Sequence, residues 1–122
     1  MRDAHDDRLL CGGIRADGPA TITGNILTGN SASTGGGIRA GGAVTISGNT
    51  LTGNSASQGG GGIYADSTAT ITGNTITGNS ANQGGGIYAS SSSTTPLAIA
   101  GNRILRNVCT SQSGDGGGIY AS

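Results

Sequence analysis

Residues 60–83 read Gly60-Gly61-Gly62-Ile63-Tyr64-Ala65-Asp66-Ser67-Thr68-Ala69-Thr70-Ile71-Thr72-Gly73-Asn74-Thr75-Ile76-Thr77-Gly78-Asn79-Ser80-Ala81-Asn82-Gln83, and Gly84-Gly85-Gly86-Ile87-Tyr88-Ala89 then begins the same stretch again. Working outward, the isoleucine that follows each glycine run recurs as Ile14, Ile38, Ile63, Ile87 and Ile119. These positions are 24, 25, 24 and 32 residues apart. A fixed period in the twenties marks a solenoid, in which each repeat buries its apolar face only against the next. Two further aliphatic columns keep step with the first: Ile22, Ile46, Ile71, Ile99 and Leu27, Leu51, Ile76, Ile104. Around each of them apolar and polar residues alternate over four or five positions, the pattern of a half-buried strand.

The expected fold is therefore all-β: a single-stranded parallel β-helix of three short strands per turn, about 24 residues per turn and about four and a half turns. The expected organisation is an irregular leader over residues 1–10, then a β-helix over 11–122. Its rungs are 11–34, 35–59, 60–83 and 84–115, with a partial rung at 116–122. Alternation points Ala20, Val44, Ala69 and Leu97 inward beside the second column, and Ala32, Ala56, Ala81 and Cys109 form a small inward column after the third. Cys11 and Cys109 fall about three rung spacings apart, too far for a disulfide.

Composition agrees with this and excludes other classes. Twenty-six glycines and two prolines in 122 residues leave little material for a conventional core. Lys and Glu, two strong helix formers, are absent, so long helices are not expected. Six arginines balance six aspartates, which removes the basic footprint that nucleic acid requires. No apolar run is long enough for membrane insertion. A lone His5 and two distant cysteines make no metal site, and no cofactor is expected.

Asparagine is the next regularity. Asn25, Asn49, Asn74 and Asn102 form one column, and Asn30, Asn54, Asn79 and Asn107 follow it five residues later. Asn tolerates left-handed backbone, its amide satisfies peptide groups at bends, and stacked amides bond from rung to rung. These eight are read as structural corners.

With these motifs in hand, the chain resembles right-handed parallel β-helix repeat proteins of the pectate-lyase-like kind. It is most similar to the bacterial polymorphic-outer-membrane-protein type, whose repeats carry GGA[ILV] and FxxN motifs. The matching residues are Gly36-Gly37-Ile38, Gly61-Gly62-Ile63 and Gly85-Gly86-Ile87, with Leu27-Thr28-Gly29-Asn30 and Ile76-Thr77-Gly78-Asn79. This chain has Ile or Leu where that family prefers Phe. The resemblance implies right-handed coiling and a structural or adhesive module, without enzymatic activity, of a secreted or cell-surface protein.

Three surfaces are candidates for function. The residue after each anchoring isoleucine faces outward, giving the column Arg15, Arg39, Tyr64, Tyr88, Tyr120. It reads either as a cover over glycine-rich strands or as an aromatic strip for a glycan or other host-surface ligand. Hydroxyls form a second surface: Thr21 and Thr23, Thr45 and Ser47, Thr70 and Thr72 beside the second column, then Thr50 and Thr52, Thr75 and Thr77 beside the third. Such arrays are ordinary outward strand residues, and they are also what β-solenoid ice-binding proteins present. Third, Asp17 and Asp66 occupy equivalent places two rungs apart, roughly 9 to 10 Å, with Arg39 on the rung between. That lies at the edge of the spacing used by inverting glycosidases, while Asp also suits a turn. Insertions near residues 90–96 and 108–115 mark where loops leave the coil. The terminal strand at 116–122 offers an open edge, so end-to-end self-association through that rung is a further expectation.

Overall fold

A computed structural model describes residues 12–66, 69–90, 98–111 and 116–121. The leader, Cys11 and the centres of both insertions, including Leu97, lie outside the described residues. Every strand pairs parallel to its counterpart one repeat away, and the strands gather into four sheets. The first stacks Ile14–Ala16, Ile38–Gly41, Ile63–Asp66, Ile87–Ser90 and Ile119–Ala121 in sequence order. The second stacks Ala20–Thr23, Val44–Ser47, Thr70–Thr72 and Ala98–Ala100, and the third Ile26–Thr28, Thr50–Thr52, Thr75–Thr77 and Arg103–Leu105.

A fourth sheet corrects the expectation of three strands per turn. It stacks Ser31–Thr34, Ser55–Gly59, Ser80–Gln83 and Val108–Cys109. Its only regular inward residues are Ala32, Ala56 and Ala81, joined by Cys109. A methyl group fills the narrow end of the coil, so the aliphatic signal that marks the other strands is missing from this one. Cys109 itself is half-buried rather than fully in the core: its Sγ lies 2.9 Å from the Asn82 carbonyl oxygen, and it is a free thiol.

The core is a set of vertical columns. Ile38, Ile63 and Ile87 on the first sheet, Ile46 and Ile71 on the second, and Leu51 and Ile76 on the third are fully buried. Each such side chain contributes about 1.5 to 3 kcal/mol by leaving water. Ile99 and Ile104, with a strand packed on one side only, are half-buried.

Two backbone features close the coil. The chain leaves the second and third strands through single left-handed glycines such as Gly24 and Gly29, both at φ 70. It enters the first sheet through the glycine runs, where backbones press together: a Cβ on Gly36 would stand 2.4 Å from the Ser55 carbonyl oxygen and 2.5 Å from that of Gly61. No other residue fits there.

Inside the corners the two asparagine columns run as ladders. Asn49 Nδ2 donates to Asn74 Oδ1 (3.0 Å) and to the Ile22 carbonyl (2.9 Å), while its backbone N–H donates to the same Asn74 Oδ1 (2.9 Å). Asn74 repeats this toward Asn102, and Asn25 toward Asn49. The second ladder runs Asn30, Asn54, Asn79, Asn107 with the same geometry. Asn49, Asn54, Asn74 and Asn79 are buried, and no buried side-chain polar atom among the described residues lacks a partner. Burial without such partners would cost several kcal/mol per amide.

Candidate recognition surface

The first sheet brings Arg15, Arg39, Tyr64, Tyr88 and Tyr120 into one register column. The Tyr64 and Tyr88 rings stack with centroids 4.9 Å apart and planes within 3°, and Tyr88 and Tyr120 follow at 5.0 Å and 19°. The Arg39 guanidinium carbon lies 5.5 Å from the Tyr64 ring centroid. The spacing is that of the rungs themselves, so the ladder is a direct consequence of parallel, in-register stacking. Burial pushes the Tyr64 phenol above its ordinary value, and the nearby charge of Asp66 and the Tyr88 phenol act in the same direction, against Arg39.

Stacking also decides what this column offers. Tyr88 has its two faces against Tyr64 and Tyr120, and one face of Tyr64 lies toward Arg39. A sugar ring cannot lie flat on a face that another ring already covers, so the column presents ring flanks rather than a row of open faces.

The carboxylates are differently employed. Asp17 Oδ1 accepts from Arg15 Nε at 3.1 Å and lies 3.8 Å from Arg39 Nη1. Arg39 Nε also donates to Thr34 Oγ1 at 3.1 Å. Exposed pairs of this kind contribute about 0 to 1 kcal/mol each, but together they fix where Arg39 lies. Asp66 pairs in register with Gly41 on one side and Ser90 on the other, so Gly41 separates its rung from that of Asp17. Asp17 thus lies beside two guanidinium groups. Among the described residues no three of His, Cys, Asp or Glu gather as metal ligands do.

The hydroxyl arrays are in register too. Thr21, Thr45 and Thr70 align, as do Thr23, Ser47 and Thr72. On the third sheet Thr50 aligns with Thr75, and Thr28, Thr52 and Thr77 form the last column. Ile26, 77% exposed, occupies the first place of the Thr50–Thr75 column, and Ala98, Ala100, Arg103 and Leu105 end all four.

Sequence reasoning missed the residues beside the tyrosines. Thr34, Gly59 and Gln83 align across the fourth sheet, but the strand Ser55–Gly59 carries one extra residue between Ala56 and Gly59. That bulge leaves Gln58 exposed and sets a glycine in the column. The Tyr88 ring packs over that glycine, and a cavity of about 110 Å³ beside it is lined by Thr34, Gln58, Gly59, Tyr64, Gln83 and Tyr88. The one signal in the sequence was the 25-residue step from Ile38 to Ile63 between two steps of 24.

A family model described as a right-handed β-helix region matches residues 11–122. No curated protein and no solved structure matches the chain.

Proposed function

The chain belongs to the right-handed β-helix family, and from that premise we propose that it is a structural and adhesive module, without enzymatic activity, of a secreted or cell-surface protein. Recognition falls to the arginine–tyrosine face of its first sheet. The observation that carries this reading is the continuous column from Arg15 to Tyr120, in which five coils contribute one large outward side chain each. A solenoid repeats its outer surface at every rung, which suits an extended partner better than a single reacting bond. The similarity to polymorphic-outer-membrane-protein-type repeats supports a surface location. The engagement of Asp17 by Arg15 and Arg39 weighs against a carboxylate pair acting on a glycosidic bond.

The test is binding of the labelled chain to an array of glycans and to host-surface ligands, repeated with Tyr64→Ala/Tyr88→Ala. Binding by the intact chain that is lost in the double variant, with the β-sheet circular dichroism retained, supports the reading. An intact chain that binds nothing, or that releases reducing sugar in a manner abolished by Asp66→Asn, would overturn it.

The aligned hydroxyls of the second and third sheets favour one second reading, a repeating surface such as ice. Thermal hysteresis that disappears on Thr45→Leu/Thr70→Leu would favour this face over the tyrosine column.

A further inference from the structure

The corner between the third and fourth sheets changes character on one coil. On the third coil it carries Thr75, Thr77, Gly78 and Ser80, and the second coil repeats those four residue types in register. On the fourth coil the same places hold Arg103, Leu105, Arg106 and Val108. Alternation turns Arg103, Leu105 and Val108 outward, because Ile104 and Cys109 take the inward columns. Leu105 is 41% and Val108 54% exposed, and both arginines are exposed as well. Neither guanidinium has an ion pair or hydrogen bond among the described residues, whereas Arg15 and Arg39 lie beside Asp17. Arg106 also keeps φ at 57°, where the other coils use glycine. Backbone strain retained in this way clusters where a side chain serves something beyond the fold. A Cβ at the equivalent Gly29 or Gly53 meets nothing within 4 Å, so a side chain at this position leaves the surface freely.

We propose that this corner docks an extended protein segment that carries carboxylates on either side of a large apolar side chain. It uses other sheets than the tyrosine column and is independent of that face. Charge complementarity selects the acid: two unpaired guanidinium groups offer forked donors that match the two oxygens of a carboxylate. Leu105, between the arginines in sequence, and Val108 just beyond them supply the apolar contact that exposed ion pairs alone lack. Strand geometry sets the spacing. Arg103 and Leu105 stand two residues apart on one face, roughly 6.7 Å, so an extended partner with acid and apolar residues at alternate positions matches them. Other partners fit less well. Nucleic acid requires a run of phosphate contacts, and the charges of this chain balance. A lipid surface attracts each basic residue only weakly, and two are too few to hold a chain there. A neutral glycan would find neither an aromatic ring nor an amide among these four side chains.

The experiment titrates the full chain into fluorescein-labelled peptides reading Asp-Ser-Leu-Ser-Asp and Glu-Ser-Phe-Ser-Glu. The controls are the amide counterpart Asn-Ser-Leu-Ser-Asn and the apolar-free Asp-Ser-Ser-Ser-Asp. Anisotropy should rise saturably for at least one acidic, apolar peptide, with a Kd below about 1 mM, and both controls should bind about tenfold more weakly or worse. Added salt should weaken the contact, since exposed charges are screened. Arg106→Gly, which installs the residue of the other coils, should weaken binding about tenfold in a chain at least as stable as the parent. The variant Arg103→Thr/Leu105→Thr/Arg106→Gly/Val108→Ser rebuilds the third coil's corner on the fourth and should abolish binding. Ile26→Thr, at the exposed aliphatic three coils away on the third sheet, should leave it unchanged. No binding by either acidic peptide, equal binding of the amide counterpart, or full affinity in the Arg106→Gly chain and the folded fourfold variant would overturn the proposal. Sedimentation of the chain with phosphatidylserine vesicles, lost in the fourfold variant while the peptides do not bind, would assign the corner to lipid and overturn it too.

Discussion

Arg106 holds the one described non-glycine residue at positive φ, 57°, in a position that glycine occupies in the other coils as Gly29, Gly53 and Gly78 at φ 70, 68 and 67. A Cβ at Gly29 or Gly53 would meet nothing within 4 Å, so the strain at Arg106 is local to its own backbone rather than a clash with neighbours. Left-handed conformation costs an ordinary residue about 1 to 2 kcal/mol, and the greater freedom of glycine in the unfolded chain offsets part of that. Arg106→Gly should therefore stabilise the chain by about 0.5 to 1 kcal/mol, read as a higher urea midpoint with an unchanged slope; a lower midpoint would show that the arginine side chain holds the corner. Tyr64 gives a pH dependence at the same scale. Its phenol is raised above 10.0 by burial first, then by Asp66 and Tyr88. Above pH 10 the unfolded chain loses this proton before the folded one does, so the native state binds more protons and stability falls as pH rises. The contribution is complete below pH 10 and is lost through the raised value. Denaturation midpoints measured from neutral to strongly alkaline pH should fall less steeply for Tyr64→Phe than for the parent.

Among the elements, the asparagine ladders and the aliphatic columns share the same logic, and both were legible in the sequence for the same reason. A parallel solenoid aligns equivalent positions, so a column in the sequence becomes a column in space, as with Ile38, Ile63 and Ile87 or Asn49 and Asn74. The fourth sheet was not legible, because Ala32, Ala56 and Ala81 carry too little apolar weight to announce a strand. The cavity beside the tyrosines was hidden for a different reason. Its residues share no motif; they meet because a single extra position near Gln58 shifts the register, and only the pairing of Gly59 with Thr34 and Gln83 reveals where that position lies. The ladders give a prediction of their own. Asn74→Ala removes the acceptor used by the Asn49 backbone and side-chain N–H groups and the donor to the Ile46 carbonyl, all within the core. With about 1 to 3 kcal/mol for each buried group left unpaired, the loss should reach about 3 to 5 kcal/mol. Asn25→Ala, in a half-buried place at the start of the ladder, should cost under about 2 kcal/mol. Equal losses in thermal or urea denaturation would contradict a cooperative, buried amide column.

The whole molecule is a device for repeating side chains at the rung spacing, and its balanced charge and small core leave the outer columns as its distinguishing property. That is why the coil was legible in the sequence and the cavity beside the tyrosines was not: periodicity specifies what each coil has in common, whereas that cavity lies where one coil differs. The tyrosine ladder is the most visible product of that repetition, and it is also the face on which the proposed function rests. Because Tyr64, Tyr88 and Tyr120 are the only aromatic side chains of the phenylalanine, tyrosine and tryptophan type in the chain, the near-ultraviolet circular dichroism comes from this column alone. Tyr88 is the middle ring, and its two stacks join all three. The most direct measurement is therefore the near-ultraviolet spectrum of the parent compared with Tyr88→Leu, with the far-ultraviolet spectrum as the control for retained fold. Coupled stacking predicts that the variant loses far more than one tyrosine's share of the signal, since both ring pairs vanish together. A loss of one share or less, in a chain whose β-sheet signal is intact, would contradict the in-register ladder and the surface built on it.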